Sequence, residues 1–399
     1  MKQRVLHIVS LLLLVAIAFQ CLVSCVYEDS FDDRDEDGNV VLVIRTASLD
    51  SRSAMSDAVE NLHSLRVIIL HADGTLEENY FVSNLGGAEQ HEHLFKVRSN
   101  ETKKIYLVAN EESMTDAKVD LNNLGTNPAE TLEGITFTAV PSDPTKNPEF
   151  SNGIPMSACY ELTVGSEPRM EKDFYLVRAM TKFTFTFQNI RTDNVTLKEM
   201  KVSAVAKDTY FADKAYLFPH FIDGNSGEVS SEKFLVDAGG NYAPGAGQFW
   251  IDWLKEAVDK SQTGLYTPDE IGWIKDYRLP DDAKRDKSAT GIALACGNGH
   301  VIKPSDTWEY PGAFYRCESN GGPYEYRISV LRVQADRDES EQKWENSPFL
   351  KLNQVKYLFR HTHVEVNVAF GQTDVVIFAR IHPWIVIKPT EPLPLEPED

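Results

Sequence analysis

From Val40 onward, runs rich in Val, Ile, Phe, Tyr and Thr alternate with short stretches of Gly, Asn and Asp, the punctuation of a strand-dominated chain. Phe183, Phe185 and Phe187 alternate with Thr184 and Thr186 inside the run Phe174 to Phe187, which predicts a strand with one buried face. Val40 to Ile44 is continuously apolar and predicts a short buried strand. Leu65 to Tyr80 reads as two strands around Asp73-Gly74, a dipeptide that supplies the positive φ of a hairpin turn. Lys103 to Ala109, Ile135 to Val140 and Tyr160 to Val164 add strands, while Met55, Val59 and Leu62 stand at helical spacing and predict an amphipathic helix over Ser53 to Ser64. A polar break near Asn189 to Asn194 separates this half from a second, which opens with Val195 to Ala206. The second half holds a Gly-rich loop at 238–247, short helices at Phe249 to Val258 and Pro268 to Tyr277, and strands at Tyr324 to Val333, Gln354 to Val368 and Asp374 to Ile387. The expected fold class is mostly β with a few short helices, in two domains spanning residues 40–190 and 191–399.

The first residues break this pattern. Lys2 and Arg4 precede a largely apolar run from Val5 to Phe19, too short for a span that needs about 20 apolar residues. Leu22-Val23-Ser24-Cys25 closes the run and resembles a bacterial lipobox, which makes residues 1–24 a cleaved signal and Cys25 the lipidated residue. The implied diacylglycerol and third acyl chain suffice for stable anchoring, so the expected partner is the outer membrane, reached through lipid, with the protein displayed at the surface. Residues 25–39 are acidic and read as a solvated tether. No second apolar run of spanning length follows.

Charge and cysteine content narrow the functions. A net charge of -20, with no clustered basic face, disfavours nucleic acid. After Cys21 and Cys25, three cysteines remain, and a bridge between Cys296 and Cys317 is one option in an oxidising compartment. Asp33, Asp35, Asp37 and Gly38 open like a calcium loop, but Ile44 stands where the twelfth-position Glu belongs. Ser157 lacks the glycines of a nucleophile elbow, and Cys296 and His300 share a glycine-rich stretch that reads as a turn. His91 and His93, like His361 and His363, are expected on one face of a strand, exposed and without a third ligand. No catalytic residue, metal or cofactor is therefore expected. Trp250 and Trp253 could stack on a sugar, which keeps open a monomeric surface lipoprotein that binds glycan or host protein.

Several pieces then coincide in order: the lipobox; Val40-Val41-Leu42-Val43-Ile44-Arg45; Arg52; Leu65 to Leu70 with Ala72-Asp73-Gly74; Asn152-Gly153-Ile154-Pro155-Met156-Ser157; Leu176 to Phe183; and Phe359 to Val366. The series resembles the fimbrillin family, lipoprotein-derived pilins of anaerobic gram-negative bacteria. The resemblance implies two transthyretin-like β-sandwich domains and a cell-surface fimbrium whose subunits join by strand exchange and contribute to adhesion. It also implies an arginine-specific surface protease that cuts after Arg45 or Arg52 and releases Val40, Val41, Leu42, Val43 and Ile44. A neighbouring subunit would then supply its C-terminal strand. Here that donor would come from Val375 to Ile387, with Val375, Val376, Ile377, Phe378, Ile381, Trp384, Ile385, Val386 and Ile387 as its apolar residues. A sheet that loses an edge strand exposes unpaired backbone, which a partner strand repairs.

If Cys25 carries the lipid, Cys25→Ser abolishes metabolic incorporation of labelled fatty acid and moves the protein from the membrane to the soluble fraction. Unchanged labelling would place the lipid elsewhere.

Overall fold

The computed structural model describes residues 39–48, 58–114, 120–138, 145, 150, 152–204, 212–218, 220–222, 229–230, 277–278, 291–320, 326–333, 343–345, 357–358, 360–372 and 374–383. Cys25, the tether, Arg52, Trp250, Trp253, the Gly-rich loop, both helices expected in the second half and Trp384 to Ile387 lie outside them.

The first half contains β1 (Asn39–Ser48), β2 (Leu65–Leu70), β3 (Leu76–Val82), β4 (Gln90–Arg98), β5 (Glu101–Ala109), β6 (Thr136–Thr138), β7 (Met156–Val164) and β8 (Arg169–Arg178). Seven of these run in the order β3-β2-β5-β7-β8-β1-β4. The ladder from β7 to β8 holds only Met156 against Arg178 and Ser157 against Val177, so the sheet folds over at this corner. Its two arms face each other: Tyr160 of β7 meets Phe174 of β8 edge to face at 4.6 Å, and Tyr80 of β3 stacks on His93 of β4 at 3.7 Å. The result is a β-sandwich whose core includes Leu42, Ile44, Val67, Ile69, Phe95, Ile105, Leu107 and Phe174. The Asp73-Gly74 turn forms as expected, with Gly74 at φ 84 and the Thr75 amide donating to Asp73 Oδ1 at 3.0 Å.

The second half contains β9 (Thr181–Asn189), β10 (Val195–Ala204), β11 (Lys214–Tyr216), β12 (His220–Ile222), β13 (Val229–Ser230), β14 (Tyr277–Arg278), β15 (Ile292–Ile302), β16 (Thr307–Glu309), β17 (Phe314–Arg316), β18 (Ser319–Asn320), β19 (Tyr326–Val333), β20 (Lys343–Glu345), β21 (Tyr357–Leu358), β22 (Thr362–Phe370) and β23 (Val375–Pro383). One layer is β15-β10-β19-β20; the other is β16-β9-β22-β23, with β17 also on β9. They enclose Phe183, Phe185, Phe187, Leu197, Met200, Leu294, Val330, Val364, Val366 and Phe370. The fold is thus mostly β and built from facing sheets. Short pieces complete it, among them β6 on β11 and an α-helix at Pro128–Glu133.

Three expectations change. The run Phe174 to Phe187 is two strands, because Ala179 and Met180 turn the chain from one sandwich to the other; β9 then pairs in parallel with β22 rather than with β8. The change of sheet therefore precedes the polar break near Asn189. Over Ser53 to Ser64 the described part holds one 3-10 turn, Ala58–Glu60, and no longer helix. The Leu62 amide donates to Ala88 O instead, a non-local bridge that stops helical bonding there.

A buried polar seam joins the halves where β8 passes to β9. Glu60 Oε1 accepts from Lys182 Nζ and Tyr315 Oη, each at 2.7 Å, and Arg178 Nη2 donates to Glu60 O. Arg360 donates to Leu217 O, Tyr216 O and Glu318. His361 donates its amide to Met180 O and accepts from the Arg178 amide at Nδ1. Such groups are tolerated inside because each finds partners.

Burial, followed by the Arg178 cation, holds His361 well below the usual imidazole range, so the folded state keeps it neutral. The unfolded chain binds that proton below about pH 6.5. Stability is therefore full above that value and falls as pH drops below it, by up to about 1.4 kcal/mol per pH unit. Urea unfolding at pH 7.5 and 5.5 checks this. His361→Asn keeps an acceptor near Nδ1 and suits the φ of 56, so it should flatten the slope; an unchanged slope would exclude His361 as its source.

Candidate functional site

The strand expected at Val40 to Ile44 is present, runs longer, over Asn39–Ser48, and is not at an edge. β1 lies between β4, antiparallel, and β8, parallel, so it bonds along both sides. Its apolar run is buried on both faces. Val40, Leu42 and Ile44 enter the sandwich core opposite Val97, Phe95 and His93 of β4, while Val41 (4% exposed) and Val43 (0%) occupy the other face. Taking β1 away leaves a slot open on two ladders and isolates β4, whose only strand partner among the described residues is β1.

Arg45 sits in the outward row of β1 beneath three carboxylates. Its guanidinium donates to Glu92 at 2.6 Å and to Glu171 at 2.5 Å and lies 3.7 Å from Asp173. The bond to Glu171, then that to Glu92, pushes the Arg45 pKa further up, and the same bond holds Glu171 below the usual carboxylate range. These groups are solvent-screened, so the trio orients Arg45 more than it stabilises the fold. The Arg45-Thr46 bond lies inside both ladders, with Arg45 paired to Glu92 and Asp173 and Thr46 to His91 and Phe174. The acidic trio escaped sequence reasoning because its members sit on two strands as ordinary alternating polar residues. The alternation of Glu92 with His91 and His93, and of Glu171 and Asp173 along β8, was the available signal.

The inward row ends in an imperfection. Thr46 is fully buried, and its Oγ1 has no hydrogen-bond partner among the described residues; His91, its ladder neighbour on β4, likewise has an unpartnered buried Nε2. Burial lowers the pKa of His91 and His93, which are half-buried rather than exposed, and His93 is stacked on Tyr80.

At the other end of the chain, β23 is the outer strand of its sheet and, among the described residues, pairs only with β22. Ala379 is buried against the core, and Val375 and Ile377 pack partly on it; Val376 and Phe378, on the opposite row, are 53% and 48% exposed.

The remaining candidate chemistries take structural places. Ser157 Oγ is buried and donates to Leu217 O at 2.6 Å. Cys296 and His300 lie within β15 at its bulge, where Cys296 to Gly299 have no ladder partner on β10 and Gly297 and Gly299 take positive φ; burial pushes the Cys296 thiol up to about 11, and His300 stacks on Trp308 at 3.7 Å. Cys296 and Cys317 are both free thiols. His361 and His363 do not share a strand face: His361 precedes β22 with φ 56, whereas His363 bonds Thr184. His71, Glu77 and Glu101 come together, but the buried Lys103 ammonium pairs with both carboxylates and fills the position a cation would take.

A buried hydroxyl without a partner costs about 1–3 kcal/mol, whereas an isosteric methyl does not. Thr46→Val is therefore expected to raise the denaturation midpoint, by about 1 kcal/mol in unfolding free energy. A loss of stability would mean that the hydroxyl is bonded.

No model of a known protein family matches the chain, and no curated protein matches it in sequence. Similar folds occur among solved structures. A tip fimbrial protein of Porphyromonas gingivalis with a C-terminal truncation is 12% identical, covering 87% of this chain and 100% of that one, at a TM-score of 0.45. A fimbrilin of the same organism is 14% identical over 88% and 98%, at 0.43. A fimbrial assembly protein of Parabacteroides distasonis is 10% identical over 86% and 94%, at 0.41.

Proposed function

We propose that the chain is a structural subunit of a cell-surface fimbrium, exported as an outer-membrane lipoprotein on Cys25 and assembled by proteolysis-triggered strand exchange. The observation that carries this reading is the placement of β1. It is the first strand of the described fold and holds the middle of a three-strand layer, apolar on both faces and bonded on both edges. One cut between β1 and β2 releases it, and the slot left behind is specific for another strand, because unpaired amides and carbonyls line both walls.

The cut falls after Arg52. Proteases hold their substrates as extended strands with backbone bonds of their own, and Arg45 already spends its backbone on two ladders. Arg52 stands beyond the last residue of β1, Ser48, and serves the same release. The partners are an arginine-specific surface protease, further fimbrial subunits and, until the cut, the outer membrane.

Purified protein lacking the lipid, treated with an arginine-specific protease, should form ladders on gels run without boiling and acquire a new N-terminus at Ser53. A new N-terminus at Thr46 would move the site to Arg45. A protein that stays uncut and monomeric would overturn the reading.

A further inference from the structure

The two strands invoked above share a pattern. Asn39-Val40-Val41-Leu42-Val43-Ile44-Arg45-Thr46 matches Asp374-Val375-Val376-Ile377-Phe378-Ala379-Arg380-Ile381 position for position, with Val, Val and Arg identical. We propose that β23 of a second copy of this chain enters the β1 slot in one register, with Arg380 at the position of Arg45. The proposal rests on the strand-exchange reading and adds which residues replace which.

Several features of the two strands agree with the transfer and its register. Their phase is the same. In β1 the inward row is Val40, Leu42, Ile44 and Thr46; in β23 Val375, Ile377 and Ala379 face the core. A slip of one residue would turn this row outward.

The outward row needs cover that the slot provides. Val376 and Phe378 are half exposed where they stand, whereas their counterparts Val41 and Val43 are buried. An exposed apolar pair on an outer strand is a place for association.

Charge selects between the slips that keep phase. Once Arg45 leaves, Glu92 and Asp173 lose that cation and Glu171 keeps Arg169, whose Nε donates to it at 3.0 Å. Arg380 restores it in the proposed register, whereas a two-residue slip puts Phe378 or His382 there. The pairing arithmetic favours transfer as well. β23 bonds one strand, β22, and in the slot it would bond two, in the orientation of β1, parallel to β8 and antiparallel to β4.

The inward row also explains direction. Ile381 would stand where Thr46 buries its unpartnered hydroxyl, so the incoming strand removes a fault that the resident one carries. Ala379 in place of Ile44 is smaller by three carbons, and Ile381 in place of Thr46 is larger by one heavy atom, so only part of that bulk is returned further along the row.

Register-specific cross-linking tests this in the full chain with Cys296→Ser. Arg45 and Glu92 are ladder partners, so Glu92→Cys combined with Arg380→Cys should give reducible, disulfide-linked ladders after arginine-specific proteolysis. Glu92→Cys with Phe378→Cys should give at least tenfold less. The reverse preference would overturn the register, and ladders without either cross-link would overturn β23 as the donor. If the parent chain forms no ladder at all, the strand-exchange reading fails first. Charge reversal gives a second measure. Arg380→Glu should slow ladder growth at least tenfold, and mixing it with a Glu92→Lys, Glu171→Lys partner should restore growth. Equal growth of every variant would exclude Arg380 as the selecting group.

Discussion

The double ladder of β1 is the constraint on which the first sandwich depends. A strand bonded on one side can be lost with local damage; a strand bonded on both sides holds its neighbours in place. Because β1 runs parallel to β8 and antiparallel to β4, it joins segments distant in the chain, and no local turn fixes either ladder. Its apolar residues must then satisfy two faces at once, which accounts for the unbroken run Val40 to Ile44.

The seam between the sandwiches answers a different demand. Where β8 passes to β9, the chain crosses from one core to the other without a solvated linker, and Glu60, Arg178, Lys182, Arg360 and His361 are drawn inside. Each has partners from several segments, so the seam fixes orientation by direction of bonding where apolar contact would allow sliding. Its charges are also sensitive to pH, since a neutral imidazole beside a guanidinium is a folded-state property.

Much of this architecture is legible in the residues. The alternation of Phe183, Phe185 and Phe187, the Asp73-Gly74 turn and the continuous apolarity of Val40 to Ile44 each report a local geometry and fold accordingly. What is not legible is non-local. Ala179 and Met180 carry no turn residue, and the change of sheet shows only as a shift of the buried row from Phe174 and Leu176 to Phe183, Phe185 and Phe187. The helical spacing of Val59 and Leu62 yields to a bridge with Ala88, which no local preference anticipates. The slot was legible as a strand but not as an interior one, since its parallel partner lies more than a hundred residues away. The acidic trio around Arg45 is assembled by register alone.

The stack of Tyr80 on His93 closes the open side of the sandwich, and it has a consequence for timing. With β1 gone, β4 has no strand beside it among the described residues and is held by this ring pair, by Phe95 and Val97 in the core and by its short link to β5. Under the strand exchange proposed above, an emptied subunit is short-lived as a receptor: the longer it waits, the more of its wall frays. Release of one strand and arrival of the next would then be nearly simultaneous, which would tie filament growth to the local concentration of donors and keep cut subunits from accumulating as sticky, half-open intermediates.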